Sequence, residues 1–293
     1  MMIIQGNLEF MKKFITVILF AIPSLTLFGT AQIPDILIFN GDTLSLYTCP
    51  LNSYPDRNLI NPKELFGSTG CFHTACWRNY VATWEFIDDQ LYLTEIRNAC
   101  YPTKMRNVSV SYKSGVENDD IGREYADLKE LFPGRFHNGR VKADWVSGKL
   151  YSPQGRLLFY IHDGFQSIYQ TELEFTVNSG VLMECKTMDN SKTKESKYLE
   201  NPTLLRDYIY NNIKRENLPD SDTIRRRVYI NIISSDENGK IDSVHVARGV
   251  NELYDNEAVR VVKSIAEWEV LYRHGEKINR SYSVPVVFDL TDK

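Results

Sequence analysis

The chain lacks the features by which many enzymes and nucleic-acid-binding proteins are recognised from sequence. Its 293 residues include only five histidines, and no H-E-x-x-H or G-x-S-x-G motif marks a metal or nucleophile site. A net charge of −4 at pH 7 excludes a dominant basic surface for nucleic acid or anionic membranes. We therefore expect no catalytic residue, no cofactor, no metal, no bound small molecule and no nucleic-acid partner.

The N-terminal region lacks an uninterrupted apolar run of the roughly 20 residues that span a bilayer. Its apolar stretch, residues 14–28, follows Lys12 and Lys13, is interrupted by Pro23 and ends in small residues. This layout is typical of a secretory signal peptide over residues 11–31, cleaved after Ala31. The sequence predicts export to the periplasm. A retained anchor in the inner membrane is the alternative.

Cysteine is scarce, and four of the five cysteines lie in the first third of the chain. Disulfides persist in the oxidising compartment that an exported chain enters. We expect up to two disulfides in this cluster, with the connectivity left open, and expect Cys185 to be a buried apolar residue. The four disulfide candidates are Cys49, Cys71, Cys76 and Cys100.

Zinc binding is the alternative interpretation of Cys71, His73 and Cys76, because thiolates and imidazole are zinc ligands. A closed zinc site needs a fourth ligand, and no second C-x-x-C and no H-x-x-x-H accompanies this segment. Disulfides are therefore favoured and no metal site is predicted. His162 beside Asp163 is interpreted as part of a hairpin turn, because no nucleophile motif accompanies it.

Residues 32–190 carry the signals of antiparallel strands joined by tight turns. Hairpins are predicted around Asn40-Gly41, Asp88-Asp89 and Ser179-Gly180, with a further turn at residues 152–155. One helix is predicted over residues 121–132 from apolar spacings of three and four. We expect a β-rich domain of unknown function. Its frequent aromatic residues are core candidates or, alternatively, a glycan-stacking surface: Tyr80, Trp84, Tyr92, Trp145, Tyr151, Tyr160 and Tyr169.

A different pattern begins after residues 191–200, which are mostly polar and are predicted to be a linker. Residues 201–293 predict the order α-β-β-α-β. Asn201-Pro202 is typical of a helix start, with Leu205, Ile209 and Ile213 on one helical face. The whole chain is therefore predicted to be α+β, with a three-stranded antiparallel sheet in this second domain.

Residues 201–290 resemble the TonB C-terminal domain family. The resemblance depends on a first helix followed by a proline, a D-x-x-G-K turn, a helix beginning L-x-D-x-E-A and a V-P-V-x-F strand. It implies a non-catalytic periplasmic module related to transmembrane transport. The matching positions are Pro219, Gly239, Asp255, Glu257, Ala258, Trp268 and Pro285.

Pro285 predicts that the last strand lies at a sheet edge, because proline removes a ladder donor. The resemblance implies that this edge binds an extended segment of a TonB-dependent outer-membrane transporter by strand addition. An edge that proline blocks against pairing is the alternative. An open edge also permits a homodimer by strand exchange. The expected contact residues are Arg280, Tyr282, Val284, Val286 and Phe288.

The region before residue 201 departs from an energy transducer of this family. A transducer needs a retained membrane helix and an extended proline-rich spacer, whereas residues 32–190 are predicted to fold. The resemblance therefore favours the fold and partner binding over energy transduction. A membrane-anchored transducer, and a secreted zinc- or glycan-binding protein acting through the first domain, stay as alternatives.

Overall fold

The computed structural model describes residues 30–71, 74–101, 121–219 and 224–289. Most of the predicted signal peptide, residues 11–29, lies outside these ranges. Within them, no helix has the length and apolarity needed to cross a bilayer. The described chain is mixed α+β and consists mostly of strands, as predicted.

The first unit is built on one large, antiparallel-rich sheet. Its strands are β1 (Asp35–Phe39), β2 (Asp42–Leu46), β3 (Tyr80–Ile87), β4 (Gln90–Asn98), β5 (Phe136–His137), β6 (Arg140–Lys142), β7 (Gly148–Phe159), β8 (Ile168–Asn178) and β9 (Val181–Asp189). The order along the sheet is β2-β1-β3-β4-β9-β8-β7, with β6 also paired to β4 and β5 to β6. Among the strands described in this sheet, only β1 and β3 pair in parallel. The two ends of the sheet approach each other, since Tyr47 N donates to Tyr151 O at 2.8 Å.

Three predicted hairpins are confirmed, because β1–β2, β3–β4 and β8–β9 are joined by the turns expected from sequence. The turn predicted at residues 152–155 is wrong. β7 runs through it, and the pairing with β8 absorbs the extra residues as a register shift between Gln154 and Leu157. Loop residues 160–167, including His162, connect β7 to β8 as predicted.

The helix predicted over residues 121–132 is also wrong for most of its length. In the described part of this unit, two short α-helices accompany the sheet, α1 (Pro62–Phe66) and α2 (Leu128–Leu131). Tyr125 instead pairs with Arg97 as an isolated bridge, and Ala126 N donates to Ile96 O at 3.0 Å. Pairing with β4 therefore outweighs the helical spacing there. Asp127 starts α2 by accepting hydrogen bonds from Lys129 N and Glu130 N.

The second unit follows the predicted order, with a short helix added before it and a small hairpin added before the last strand. Its elements are α3 (Lys197–Glu200), α4 (Pro202–Asn212), β10 (Arg226–Ser235), β11 (Ile241–Arg248), α5 (Glu252–Lys263), β12 (Leu271–Arg273), β13 (Glu276–Ile278) and β14 (Tyr282–Phe288). Three strands form an antiparallel sheet in the order β11-β10-β14, while β12 and β13 pair with each other. Asn201 caps α4 by accepting a hydrogen bond from Thr203 N.

Each unit has its own hydrophobic core. The first core contains fully buried Trp84 and Tyr80, so these two aromatic residues are not an exposed glycan surface. In the second, α5 packs Ala258, Val261 and Val262 against the sheet, and Trp268 closes the core at 3% exposure. Burial of such side chains is the main favourable term in folding.

Two acidic residues of α5 accept hydrogen bonds from neighbouring segments and so hold these segments against the second unit. Glu257 is buried and accepts hydrogen bonds from Lys214 N at 2.6 Å and Asn217 Nδ2 at 2.7 Å. It thereby anchors the segment between α4 and Pro219. Asp255 accepts from Val250 N at 2.8 Å and holds the turn before the helix.

Residues 191–200 connect the two units but are folded onto the second unit rather than extended. Lys194 pairs with Val270 through two backbone hydrogen bonds of 2.8 and 3.0 Å. Tyr198 of α3 is buried in the second core. The polar composition of this stretch does not predict these contacts, because backbone pairing requires no apolar side chain.

The backbone conformation of Gly239 allows a test of how closely the β10–β11 turn packs against Trp268. Its φ is +80°, and a Cβ at this position would lie 2.6 Å from the carbonyl oxygen of Trp268. Gly239→Ala should therefore add a backbone clash to the roughly 1–2 kcal/mol cost of a left-handed side-chain-bearing residue. We expect its loss of unfolding free energy, measured by urea denaturation, to exceed that of a matched control.

Gly275→Ala is the control, because Gly275 has a φ of +75° but its nearest atom would be Met188 Sδ at 3.6 Å, an ordinary contact. It carries the conformational cost alone. Equal losses for the two variants would contradict the close packing of the turn against Trp268.

Candidate functional site

Strand β14 forms one edge of the three-stranded sheet, as Pro285 predicted. It pairs with β10 in continuous register from Arg226 opposite Phe288 to Ile232 opposite Tyr282. Proline in a sheet places its missing N–H towards the free side. Because backbone direction alternates along a strand, the N–H groups of Ser283 and Val287 face the same free side as Pro285.

The side chains of β14 divide between the core and the surface. Val284, Val286 and Phe288 are buried against the helices, whereas Ser283 and Pro285 are exposed. Of the predicted contact residues, these three have buried side chains and backbone groups that point towards β10, so neither is available to a partner strand. The available backbone donors are those of Ser283 and Val287, which sequence reasoning did not select.

The other two predicted contact residues lie where β14 meets the first unit. The Arg280 guanidinium lies 5.4 Å from the ring centres of both Phe159 and Tyr282. The Tyr282 hydroxyl donates to Glu269 at 2.7 Å, and burial raises the pKa of this hydroxyl. Both side chains already have partners within the chain.

A groove runs beside the free edge of β14 and is called here the β14 groove. It has a volume of about 340 Å³ and is mostly apolar. Its lining residues are Tyr198, Leu199, Pro202, Leu205, Arg206 and Ile209 on the helical side and Tyr282, Ser283, Val284, Pro285 and Val287 on the strand side. The groove therefore combines apolar contact area with unsatisfied backbone groups.

The β14 groove continues past Pro285 and Val287 into a depression of about 180 Å³. Arg206 and Arg225 border this end, and Arg225 lies 3.7 Å from Asp289. The depression extends the accessible strand edge towards the C-terminal end of β14.

Sequence reasoning missed the helical wall of the β14 groove. Tyr198 and Leu199 lie in the stretch predicted to be a linker, and the sequence predicts for Pro202 only a place at the start of a helix. The available signal was the pair of large apolar residues within K-Y-L-E, directly before the predicted helix that carries Leu205 and Ile209.

The cysteine cluster contains one disulfide. Cys71 and Cys100 are bonded, with their Cα atoms 5.8 Å apart, while Cys49 and Cys76 are free thiols. Burial raises the pKa of Cys49 to about 12, so it stays protonated at neutral pH. The prediction that Cys185 is buried is wrong, because it lies exposed on β9.

The disulfide removes one thiolate from the alternative zinc set. His73 lies outside the described residues. Among the residues that are described, no three His, Cys, Asp or Glu side chains are close enough together to hold a metal ion.

The β12–β13 hairpin connects the second unit to the first through its tip residue His274. The imidazole stacks on Tyr151 with ring centres 3.8 Å apart, and its Nδ1 lies 3.0 Å from Glu172 Oε2. Glu172 Oε2 also accepts from His274 N at 2.8 Å and Asn190 Nδ2 at 3.2 Å. Burial raises the pKa of Glu172, but hydrogen bonds from His274 and Asn190 outweigh burial and lower it overall.

Comparison with known proteins finds no matching family model, no similar curated protein and no similar solved structure.

The lowered pKa of Glu172 predicts how the contact between the units depends on pH. A carboxylate with a depressed folded-state pKa stabilises the fold above its unfolded pKa, about 4.3, and loses that contribution as the pH falls through the folded value. The difference in unfolding free energy between the native chain and Glu172→Gln should therefore be large at pH 6 and shrink below about pH 4.

Urea denaturation across this pH range measures the difference, with Glu237→Gln as the control on an exposed turn. A Glu172→Gln difference that stays constant down to pH 3 would show that the carboxylate charge contributes nothing.

Proposed function

We propose that this chain is an exported, non-catalytic periplasmic protein that binds an extended segment of a partner protein at β14. The single observation that carries the proposal is a regular, free strand edge bordered by an apolar groove. Strand addition at such an edge gives affinity through backbone hydrogen bonds and specificity through the groove.

The proposed partner is the N-terminal segment of a TonB-dependent outer-membrane transporter. The support is the resemblance of residues 201–290 to the TonB C-terminal domain family and the order of their helices and strands. The Cys71–Cys100 disulfide supports the proposed export, because disulfides persist in oxidising compartments such as the bacterial periplasm.

The opposite edge of the sheet, on β11, is the weaker candidate. Its pairing with β10 has register shifts at Tyr229/Ile230, Ile232/Ser234 and Ser234/Ser235. Such bulges bend and twist an edge and oppose pairing with another chain. The β14 ladder has continuous register over seven residue pairs, so it offers the straighter template for a partner strand.

The geometry of the β14 groove constrains the sequence of the partner. An added strand of seven residues would extend about 23 Å along β14. Side chains on one face of that strand would contact Leu199, Leu205 and Ile209, while the alternate side chains would face solvent. The partner segment should therefore alternate apolar and polar residues.

The connection between the units favours binding over energy transduction. His274 and Glu172 hold the second unit against the first, and residues 191–200 are folded. A transducer that spans the periplasm needs an extended spacer, whereas this arrangement holds the β14 groove beside a β-rich unit.

Ser283→Pro tests strand addition directly. It removes a backbone donor on the free side of β14 and leaves the bonds to β10 intact. One lost hydrogen bond of about 0.5–1.5 kcal/mol should weaken binding of a synthetic transporter N-terminal peptide roughly two- to tenfold. Adding Val287→Pro should weaken it further. Calorimetric titration of the full chain measures the effect.

Ser283→Ala is the matched control, because it changes the same side chain and keeps the N–H. Its affinity should equal that of the native chain, and amide spectra of all variants should retain the signals of β10. Equal affinities for Ser283→Pro and Ser283→Ala would refute pairing along β14, as would the absence of peptide binding to the native chain.

A further inference from the structure

A second cavity lies in the first unit, remote in sequence from the β14 groove. It has a volume of about 200 Å³ and is formed by the segment between β2 and α1 and by the turn leading into β3. This volume exceeds the roughly 10–15 Å³ that a water molecule requires and is below the roughly 300 Å³ typical of drug-sized sites. The cavity therefore suits a small ligand.

Two buried donors at this cavity have no partner among the described residues. The Tyr80 hydroxyl and Arg78 Nε are both buried without a hydrogen bond, and Tyr80 is only 1% exposed. Both residues line the cavity. Buried polar groups are nearly always hydrogen-bonded, so two unpaired groups in residues that line one cavity call for an acceptor that the described chain does not supply, either an ordered water or a polar group of a bound molecule.

The charge of the cavity is that of a single cation. Arg78 is neutralised by Asp35, which is fully buried and accepts from Arg78 Nη2 at 2.9 Å. Arg57 lines the cavity and has no ion pair within the described chain, and none of the described residues that line the cavity is acidic. A monoanionic acceptor matches this charge, since an arginine and a carboxylate form short, charge-assisted hydrogen bonds.

The wall of the cavity also offers a flat apolar surface. Trp77 lines it and is 74% exposed, the highest exposure among the large apolar residues described. An indole with an accessible face packs well against a ring. Asn52, whose side chain has no hydrogen bond in the described chain, adds a neutral polar group at the rim.

The Cys71–Cys100 disulfide holds the segment that carries these groups. Cys71 N donates to Asn79 Oδ1 at 2.9 Å, and Ala99 N donates to Asn79 O at 2.9 Å. The turn before Tyr80 is therefore attached to both sides of the disulfide. Such a preorganised wall reduces the entropy lost when a ligand binds.

We propose that this cavity binds a small ring-shaped carboxylate, with the carboxylate at Arg57, Arg78 and Tyr80 and the ring against Trp77. A uronic acid sugar and an aromatic acid share this chemistry. The site belongs to the first unit and is independent of strand addition at β14.

The test uses the full chain with two matched ligand pairs: D-glucuronate with D-glucose, and benzoate with benzyl alcohol. We expect at least one carboxylate to bind saturably, at least tenfold more tightly than its neutral counterpart, in calorimetric titration. The pair that binds distinguishes the sugar from the aromatic source. Failure of both carboxylates, or equal binding of the neutral compounds, would overturn the proposal.

Three variants locate the binding. Tyr80→Phe and Arg57→Ala should each weaken the carboxylate at least fivefold, whereas Arg156→Ala, at an exposed arginine on β7, should leave it unchanged. Tyr80→Phe removes a hydroxyl without a partner, so its unliganded melting temperature should not fall. Native affinity in both cavity variants, or a large loss in Arg156→Ala, would place the ligand elsewhere.

Discussion

Among the described strands, β14 pairs on one side only, with β10, and the proposed binding of a partner strand depends on that one-sided pairing. Three strands suffice to make the core, because α4 and α5 cover the apolar face that Ile230, Val284 and Val286 present. Nothing in the packing requires a fourth strand. An added strand would satisfy the free backbone groups and bury the apolar wall of the β14 groove together, so hydrogen bonding and hydrophobic burial favour the same complex.

The position of the β14 groove is determined by contacts outside the sheet. The β12–β13 hairpin directs His274 onto Tyr151 and Glu172 of the first unit, and Arg280 reaches Phe159 just before β14 begins. The groove therefore starts beside the first unit. In the proposed complex, a partner segment longer than the groove would meet that unit at the Tyr282 end of β14, so the β-rich unit would also contact the partner.

The elements that sequence predicted well are those with strong local signals. Asn201-Pro202, the Gly239 turn and the apolar spacing of α5 specify their structures within a few residues, and Pro285 identified the edge strand. The prediction of a helix over residues 121–132 was wrong because Tyr125 and Ala126 pair with β4. A local spacing pattern carries no information about such a long-range contact. The prediction of a turn at residues 152–155 was wrong because a β-bulge accommodates the same residue types. The helical wall of the β14 groove was missed since Tyr198 and Leu199 lie in a polar stretch. The unpartnered Tyr80 hydroxyl depends on three-dimensional packing that no local pattern encodes.

Hydrogen exchange at individual amides of the full chain tests the central claim most directly. If β14 has a free edge, the amides of Ser283 and Val287 exchange rapidly while those of Val284 and Val286 are protected, and a bound transporter segment slows the first pair. Protection of Ser283 and Val287 in the free protein, at the level of their neighbours, would show that the edge is already occupied and would contradict strand addition.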